Sequence, residues 1–149
     1  MTDVNWHLET LAPWVSAGVR KVLAMENISA EFGTTFGEVA ASLGAAGVVA
    51  SAPAYARYFG MPSEFVDVEI GFGIPTAADV PGVVVTEHPA TPALIGTHVG
   101  PYDQLHASYD TLPGWLEANP TELSDSMFEF YESEPDADPQ VTKLVFPLA

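Results

Sequence analysis

Two stretches of this chain carry the same apolar stripe, half a chain apart. In "SAEFGTTFGEVAASLGAAG" the stripe is Phe32, Phe36, Val39 and Leu43; in "GPYDQLHASYDTLPGWLEANP" it is Leu105, Tyr109, Leu112 and Leu116. Both have the i, i+4, i+7, i+11 spacing of a helix with one buried face. They are offset by 73 residues (105 − 32) in a chain of 149. The offset recurs: Val22 maps to Ile95 ahead of the stripes and Tyr58 to Tyr131 behind them, and it slips by one between Pro75 and Pro147. A unit that occurs twice is a duplication rather than a solenoid, so the fold must accommodate two similar halves, about 1–76 and 82–149, in one domain spanning 1–149.

Each half reads strand, helix, strand, strand. "EFVDVEIGFGI" alternates cleanly, with Val68, Ile70, Phe72 and Ile74 on one side and Asp67, Glu69, Gly71 and Gly73 on the other. "APAYARYF", "SMFEFYES" and "VTKLVFPL" are the corresponding strands behind the helices. "VPGVVVTEH" adds one more, and residues 3–9 are its counterpart. Ser29 is placed to cap the first helix and Gly44 to close it; Pro101 fits the start of the second, and Pro113 should kink that helix or split it near Leu112. The helix stripes must bury against the apolar faces of the strands. The fold class expected is α+β: duplicated βαββ units in a curved antiparallel sheet, two helices on its outer face, and a central ligand cleft.

Charge narrows the function. Twenty Asp and Glu face four Lys and Arg, a net charge of −16. Such a surface repels phosphate backbones and anionic lipid and attracts cations, so neither nucleic acid nor a membrane is an expected partner. No cysteine is present, which removes disulfides and thiolate chemistry and fits the cytoplasm. The start of the chain lacks a signal-peptide pattern, and no apolar run is long enough to span a bilayer.

The residue that stands out is Glu129, between Phe128 and Phe130 in a strand. Alternation puts the two phenylalanines on one side and Met127, Glu129 and Tyr131 on the other. With Phe128 and Phe130 turned to the helix, Glu129 faces the groove, and by the same argument Glu69 faces it from the first half. Carboxylates among Met and aromatic rings suit a flat, apolar cation. The 73-residue offset favours Tyr58 over Tyr55 as a groove residue. Gly71 opens space beneath a ligand, and Trp115 can contribute a further ring. The bland alternative is a solvated Glu129 on an open sheet face. His88, His98 and His106 have no metal-ligand spacing and read as solvated or capping residues. No metal or other cofactor is expected. Arg57 can pair with an acid, but nothing in the sequence says which.

Six segments, "AYARYF", "DVEIGFGIP", "ALIGTHVGPYDQL", "WLEAN", "FEFYESEPDADP" and "TKLVFPL", resemble in order and spacing the gyrase-inhibitor-like (GyrI-like) family of small-molecule effector-binding domains. Members are also found fused to bacterial multidrug-sensing transcription regulators. The family pattern of Glu two residues before Tyr, followed by an acid and Pro, is matched by Glu129, Tyr131, Glu134 and Pro135. The resemblance implies that Glu129 lies in the ligand cleft and engages lipophilic, often cationic, compounds. It also implies a hydrolase alternative, since some stand-alone members cleave cyclopropane-bearing alkylating toxins with the cleft carboxylate and nearby aromatics; Glu129 and Tyr131 would then be catalytic. Two features depart from the family: residues 2–14 match poorly, and the chain has no room for a DNA-binding helix-turn-helix. The functions expected are sensing, sequestration or toxin resistance. A separate regulator or a second copy of the chain is the protein partner expected, and an acidic decoy for a basic protein is a third reading.

Overall fold

The computed structural model describes residues 4–51, 54–60, 63–133 and 138–149. Glu134 and Pro135, part of the family pattern, lie outside the described residues. Eight strands form one antiparallel sheet: β1 (His7–Leu11), β2 (Trp14–Ala24), β3 (Ala54–Phe59), β4 (Phe65–Ile74), β5 (Val84–His88), β6 (Thr91–Val99), β7 (Ser126–Tyr131) and β8 (Val141–Pro147). Their order across the sheet is β1-β6-β8-β7-β3-β4-β2-β5. Helix α1 (Ile28–Ala45) follows β2, and α2 (Leu105–Tyr109) and α3 (Leu112–Ala118) follow β6. The sheet is curled into a half-barrel, as the α+β class expected from the sequence requires. Among the described residues no helix is long and apolar enough to cross a membrane.

The helices form where the stripes predicted, with local differences. α1 begins at Ile28, and no side chain caps it, so Ser29 lies in its first turn. It runs through Gly44 to Ala45, and the left-handed residue beyond it is Gly47, at φ 72°. In the second half Pro113 has the effect expected of it: the helix breaks at residues 110–111, and α3 restarts with Pro in its first turn, where a missing N–H costs nothing.

The register makes the relation between the halves concrete. Ala56 pairs with Glu129 where β3 meets β7, an offset of 73 (129 − 56). Ala56 also pairs with Ile70, and Glu129 with Leu144, so β4 maps to β8 at 74 (144 − 70). Val19 pairs with Ile70 and Gly96 with Leu144, so β2 maps to β6 at 77 (96 − 19). With Ala56 and Glu129 taken as equivalent, as the 73-residue offset of Tyr58 and Tyr131 has it, the expected matches of Val22 to Ile95 and of Pro75 to Pro147 fall out of register. The extra slip arises because the second-half connection between strands is shorter by four residues (77 − 73). The edge strands are also exchanged: β1 pairs with β6 of the other half, and β5 with β2.

Both faces of the sheet are buried. On one face, Val68, Ile70 and Ala56 pack with Phe32 and Phe36 of α1, and Ala17 and Ile74 pack with Val39 and Leu43. Leu94 and Leu144 lie under Tyr109, Leu112, Trp115 and Leu116. On the other face, Tyr55, Ile95, Phe128 and Val145 pack with Trp14 and Phe130 where the sheet curls over itself. Full burial of one large side chain such as Ile70 or Leu144 stabilises the fold by about 1.5–3 kcal/mol.

Candidate functional site

Glu129 is only 5% exposed. Its pairing with Ala56 turns it to the face that carries the helices, together with Tyr58 and Tyr131. This corrects the expectation that Phe128 and Phe130 meet the helix: those two rings fill the helix-free face with Trp14 and Tyr55. Alternation alone could not have distinguished the sides, because both are apolar.

Three phenols enclose the carboxylate. Tyr131 donates to Oε1 at 2.6 Å and Tyr58 to the same oxygen at 3.2 Å. Tyr109, reaching down from α2, donates to Oε2. Further rings close the shell. Phe32 lies at 6.4 Å against Tyr58, Phe36 at 6.2 Å from Tyr131, and Tyr102 at 5.6 Å from Tyr131. Met127 lies against Tyr109, whose hydroxyl is 3.7 Å from its sulfur, and Trp115 belongs to the same apolar cluster.

The electrostatics are opposed. Burial pushes the Glu129 carboxyl above its ordinary value, while the hydroxyls of Tyr109, Tyr131 and Tyr58 hold it down. Burial, and then the charge of Glu129, push all three phenols well up, so they are fixed as donors. His98 adds a weak favourable field. Of the two roles expected for it, solvated or capping, the first does not hold: it is 3% exposed, with Nε2 3.0 Å from the Pro101 carbonyl and Nδ1 2.6 Å from Ser108 Oγ, tying β6 to α2.

The other expected site residues divide. Tyr58, Met127, Tyr131 and Trp115 gather around Glu129. Glu69 does not: it pairs with Arg57 and lies on the helix-free face, where it is 6% exposed and accepts from Tyr55 at 2.5 Å. The two carboxylates are on opposite sides of the sheet, because Glu69 lies opposite its strand's helix-facing set and Glu129 belongs to that set. Gly71 opens no space for a ligand. A Cβ there would lie 2.0 Å from the Ala17 carbonyl oxygen, so its role is the close approach of β2 and β4. Arg57 forms no ion pair with an acid among the described residues; it donates to Ser126 Oγ and lies over the rings of Phe59 and Phe128.

Sequence reasoning placed Tyr109, Phe32 and Phe36 in helix stripes and went no further. A stripe that faces the sheet must also face whatever polar group the sheet presents, and that was the available signal. Two surface hollows, of about 450 and 530 Å³, open elsewhere, the first beside Trp14 and His88 and the second beside Ser42 and Asp79. Glu129 nevertheless remains the candidate site, because an acid withdrawn from water costs several kcal/mol unless compensated, and here three donors are spent on one carboxylate. No group of three metal-ligating side chains occurs among the described residues.

A curled antiparallel sheet with a sheathed acid beneath two helical segments defines a small-molecule-binding α+β domain. The GyrI-like small molecule binding domain matches residues 5–149, and the chain belongs to that family. No curated protein sequence matches it. Among solved structures it is similar to EcmrR in its DNA complex, at 21% identity and a TM-score of 0.81, over 97% of this chain and 57% of that one. The chain thus spans little more than half the length of EcmrR. It is also similar to SAV2435 bound to tetraphenylphosphonium, at 12% identity and a TM-score of 0.72, over 97% and 94% of the two chains. A hydrolase encoded by lin2189 from Listeria innocua shares 10% identity and a TM-score of 0.66, over 99% and 93%. At these identities the likeness is one of fold.

Proposed function

We propose that the chain binds lipophilic aromatic cations at Glu129, to sense or sequester them or to confer resistance. The observation that carries the reading is a buried carboxylate whose surroundings are donors and rings, and which forms no ion pair among the described residues. A ligand that brings its own positive charge supplies the missing partner, and the faces of Tyr58, Tyr131, Phe32 and Trp115 supply area and quadrupole. Met127 adapts its shape to different occupants. Tetraphenylphosphonium, the ligand of the similar SAV2435, is an aromatic cation of this kind. The negative charge of the whole chain adds attraction at longer range. A cytoplasmic location belongs to this reading, since a negative-inside membrane potential concentrates such cations there. A protein partner, either a regulator or a second copy, would relay the binding event.

The test is calorimetric titration of tetraphenylphosphonium into the wild type and Glu129→Gln. Removing the charge while keeping the shape should weaken binding by roughly tenfold or more, the worth of one buried charge interaction. Equal affinities would end the proposal.

A second reading is hydrolysis, with Glu129 as general base and Tyr131 orienting the substrate. What favours it is a carboxyl drawn in opposite directions by burial and by three hydroxyls, the setting in which a carboxyl becomes an acid–base group. The likeness to the lin2189 hydrolase points the same way. Incubation with a cyclopropane-bearing alkylator tests it: a water adduct formed by wild type and not by Glu129→Gln supports catalysis.

A further inference from the structure

β2 is covered along only part of its outer side. β4 pairs with residues 15–24 on the inner side, whereas β5 pairs only with residues 14–18 on the outer one. Residues 19–24 are therefore an open sheet edge among the described residues. The Met25 N–H donates to the Glu64 carbonyl, toward β4. Backbone groups alternate sides along an antiparallel strand, so Arg20, Val22 and Ala24 turn their N–H and C=O groups outward. Such a row is a template for another strand, and proteins ordinarily blunt it with a charged side chain standing over the edge. Here both charged side chains fold back onto their own chain. Arg20 donates to Asp67 and lies 3.7 Å from the centre of the Phe59 ring, and Lys21 reaches Glu38 of α1. The side chain that stands out instead is Val22, 67% exposed.

The two ends of this edge complement each other. Val22, Met25, Phe65 and Val84 are exposed apolar side chains here; Phe65 pairs with Ala24 at one end of the segment, and Val84 with Gly18 at the other. The cations Arg20 and Lys21 lie in its first half. Two exposed acids, Glu26 and Glu64, lie beyond its second half and form no ion pair among the described residues. A second copy, turned by a two-fold axis through Val22 and perpendicular to the sheet, sets each half against the opposite half of the other. Val22 then faces Val22, Arg20 faces Ala24 and Lys21 faces Leu23, so no like charges are directly opposed. The Met25 end of one copy meets the Val84 end of the other, and Arg20 and Lys21 are directed toward Glu26 and Glu64. This match between the two ends of one segment is what favours a second copy over an unrelated strand.

We propose that residues 19–24 of β2 are a dimer interface, where two copies of the chain join edge to edge, antiparallel about Val22, into one continuous sheet. This places the second-copy partner on the surface and does not depend on a ligand at Glu129, which lies on β7, beyond β4 and β3. The net charge of −16 on each copy opposes association, so the dimer tightens as salt screens that repulsion.

The experiment uses the full chain without ligand. Sedimentation velocity at concentrations up to about 1 mM should show a monomer–dimer equilibrium that shifts toward dimer between low salt and about 0.5 M sodium chloride. Val22→Lys sets like charges opposite each other across the axis and should weaken the dimer about tenfold or more, with the Tm little changed because the side chain is exposed. The chain has no cysteine, so Val22→Cys carries a single thiol. The Cα atoms of a hydrogen-bonded antiparallel pair are about 5.5 Å apart, within reach of a disulfide. Air oxidation should link Val22→Cys into a covalent dimer. Val49→Cys, also exposed but near the Gly73 end of β4, should remain a single chain. The proposal is overturned by a chain that stays monomeric at about 1 mM in high salt, by a dimer that Val22→Lys leaves unchanged, or by equal cross-linking of the two thiol variants. An edge that pairs only with a strand of another protein gives the first of these results. The cross-linking decides the matter even if Val22→Lys fails to fold.

Discussion

Tyr109 of α2 donates its phenolic proton to Glu129 of β7 and thereby joins the broken helix of the second half to the centre of the sheet. The contact spans 20 residues of sequence, and through it the helical layer touches the buried charge directly. Tyr58 and Tyr131 approach the same carboxylate from the sheet itself.

Tyr109→Phe should keep the ring in its cluster and remove one donor. A buried carboxylate that loses a hydrogen bond costs about 1–3 kcal/mol. Urea denaturation at neutral pH should show that loss, and carboxyl ¹³C shifts should show the Glu129 pKa moving further up. Unchanged stability together with an unchanged pKa would mean the hydrogen bond contributes nothing.

Glu129 has its folded-state pKa raised, chiefly by burial. For a raised pKa the folded state binds the proton more tightly than the unfolded chain does. Its contribution to stability is therefore complete below the unfolded carboxyl range, near pH 4.5, and is lost as pH rises through the folded value. The stability of wild type relative to Glu129→Gln should fall across that window. A bound cation reverses the preference, so binding near the folded pKa should release up to one proton and should weaken as the pH drops. Calorimetry in two buffers of different ionisation enthalpy measures the release; none at any pH across the titration of the wild-type carboxyl would mean the cation does not bind beside Glu129.

Two kinds of glycine should respond in opposite directions to alanine. Gly71→Ala would place a methyl 2.0 Å from the Ala17 carbonyl oxygen and 2.6 Å from the Gly18 Cα, so the β2–β4 pairing must move. A loss of at least about 3 kcal/mol, or failure to fold, is expected. Gly33 and Gly37, on the exposed side of α1, have nothing within 4 Å of the position an alanine methyl would take. Their replacement by alanine should stabilise by about 0.5–1 kcal/mol each, seen as a rise in Tm.

Salt should stabilise this chain. Twenty acidic residues and four basic ones give a net charge of −16, and three of the four cations already have carboxylate partners. Raising ionic strength shortens the screening length to about 8 Å near 0.15 M and relieves the self-repulsion of the folded state by more than it weakens a few exposed ion pairs. The Tm should rise between low salt and about 0.5 M sodium chloride, where screening is stronger still. A fall would show that the ion pairs dominate.

The chain's own order of residues determined the repeated helical stripes, the break before Pro113, the alternation of β4 and the isolation of one acid among strand aromatics at Glu129. These are local properties: a period of 3.6 or 2 in side-chain character is written in neighbouring residues. Which face of β7 meets the helices was a tertiary decision. Phe128 and Phe130 on one side, and Met127 and Tyr131 on the other, are all apolar enough to be buried, and in a sheet covered on both faces burial cannot rank them. The pairing of Ala56 with Glu129 and the reach of Tyr109 decided it, and the same register put Glu69 on the far side, with Tyr55, Ser16 and His88. The pairings of Ala56 with Glu129 and of Ser16 with His88 join residues more than 70 positions apart, and no local period carries that information.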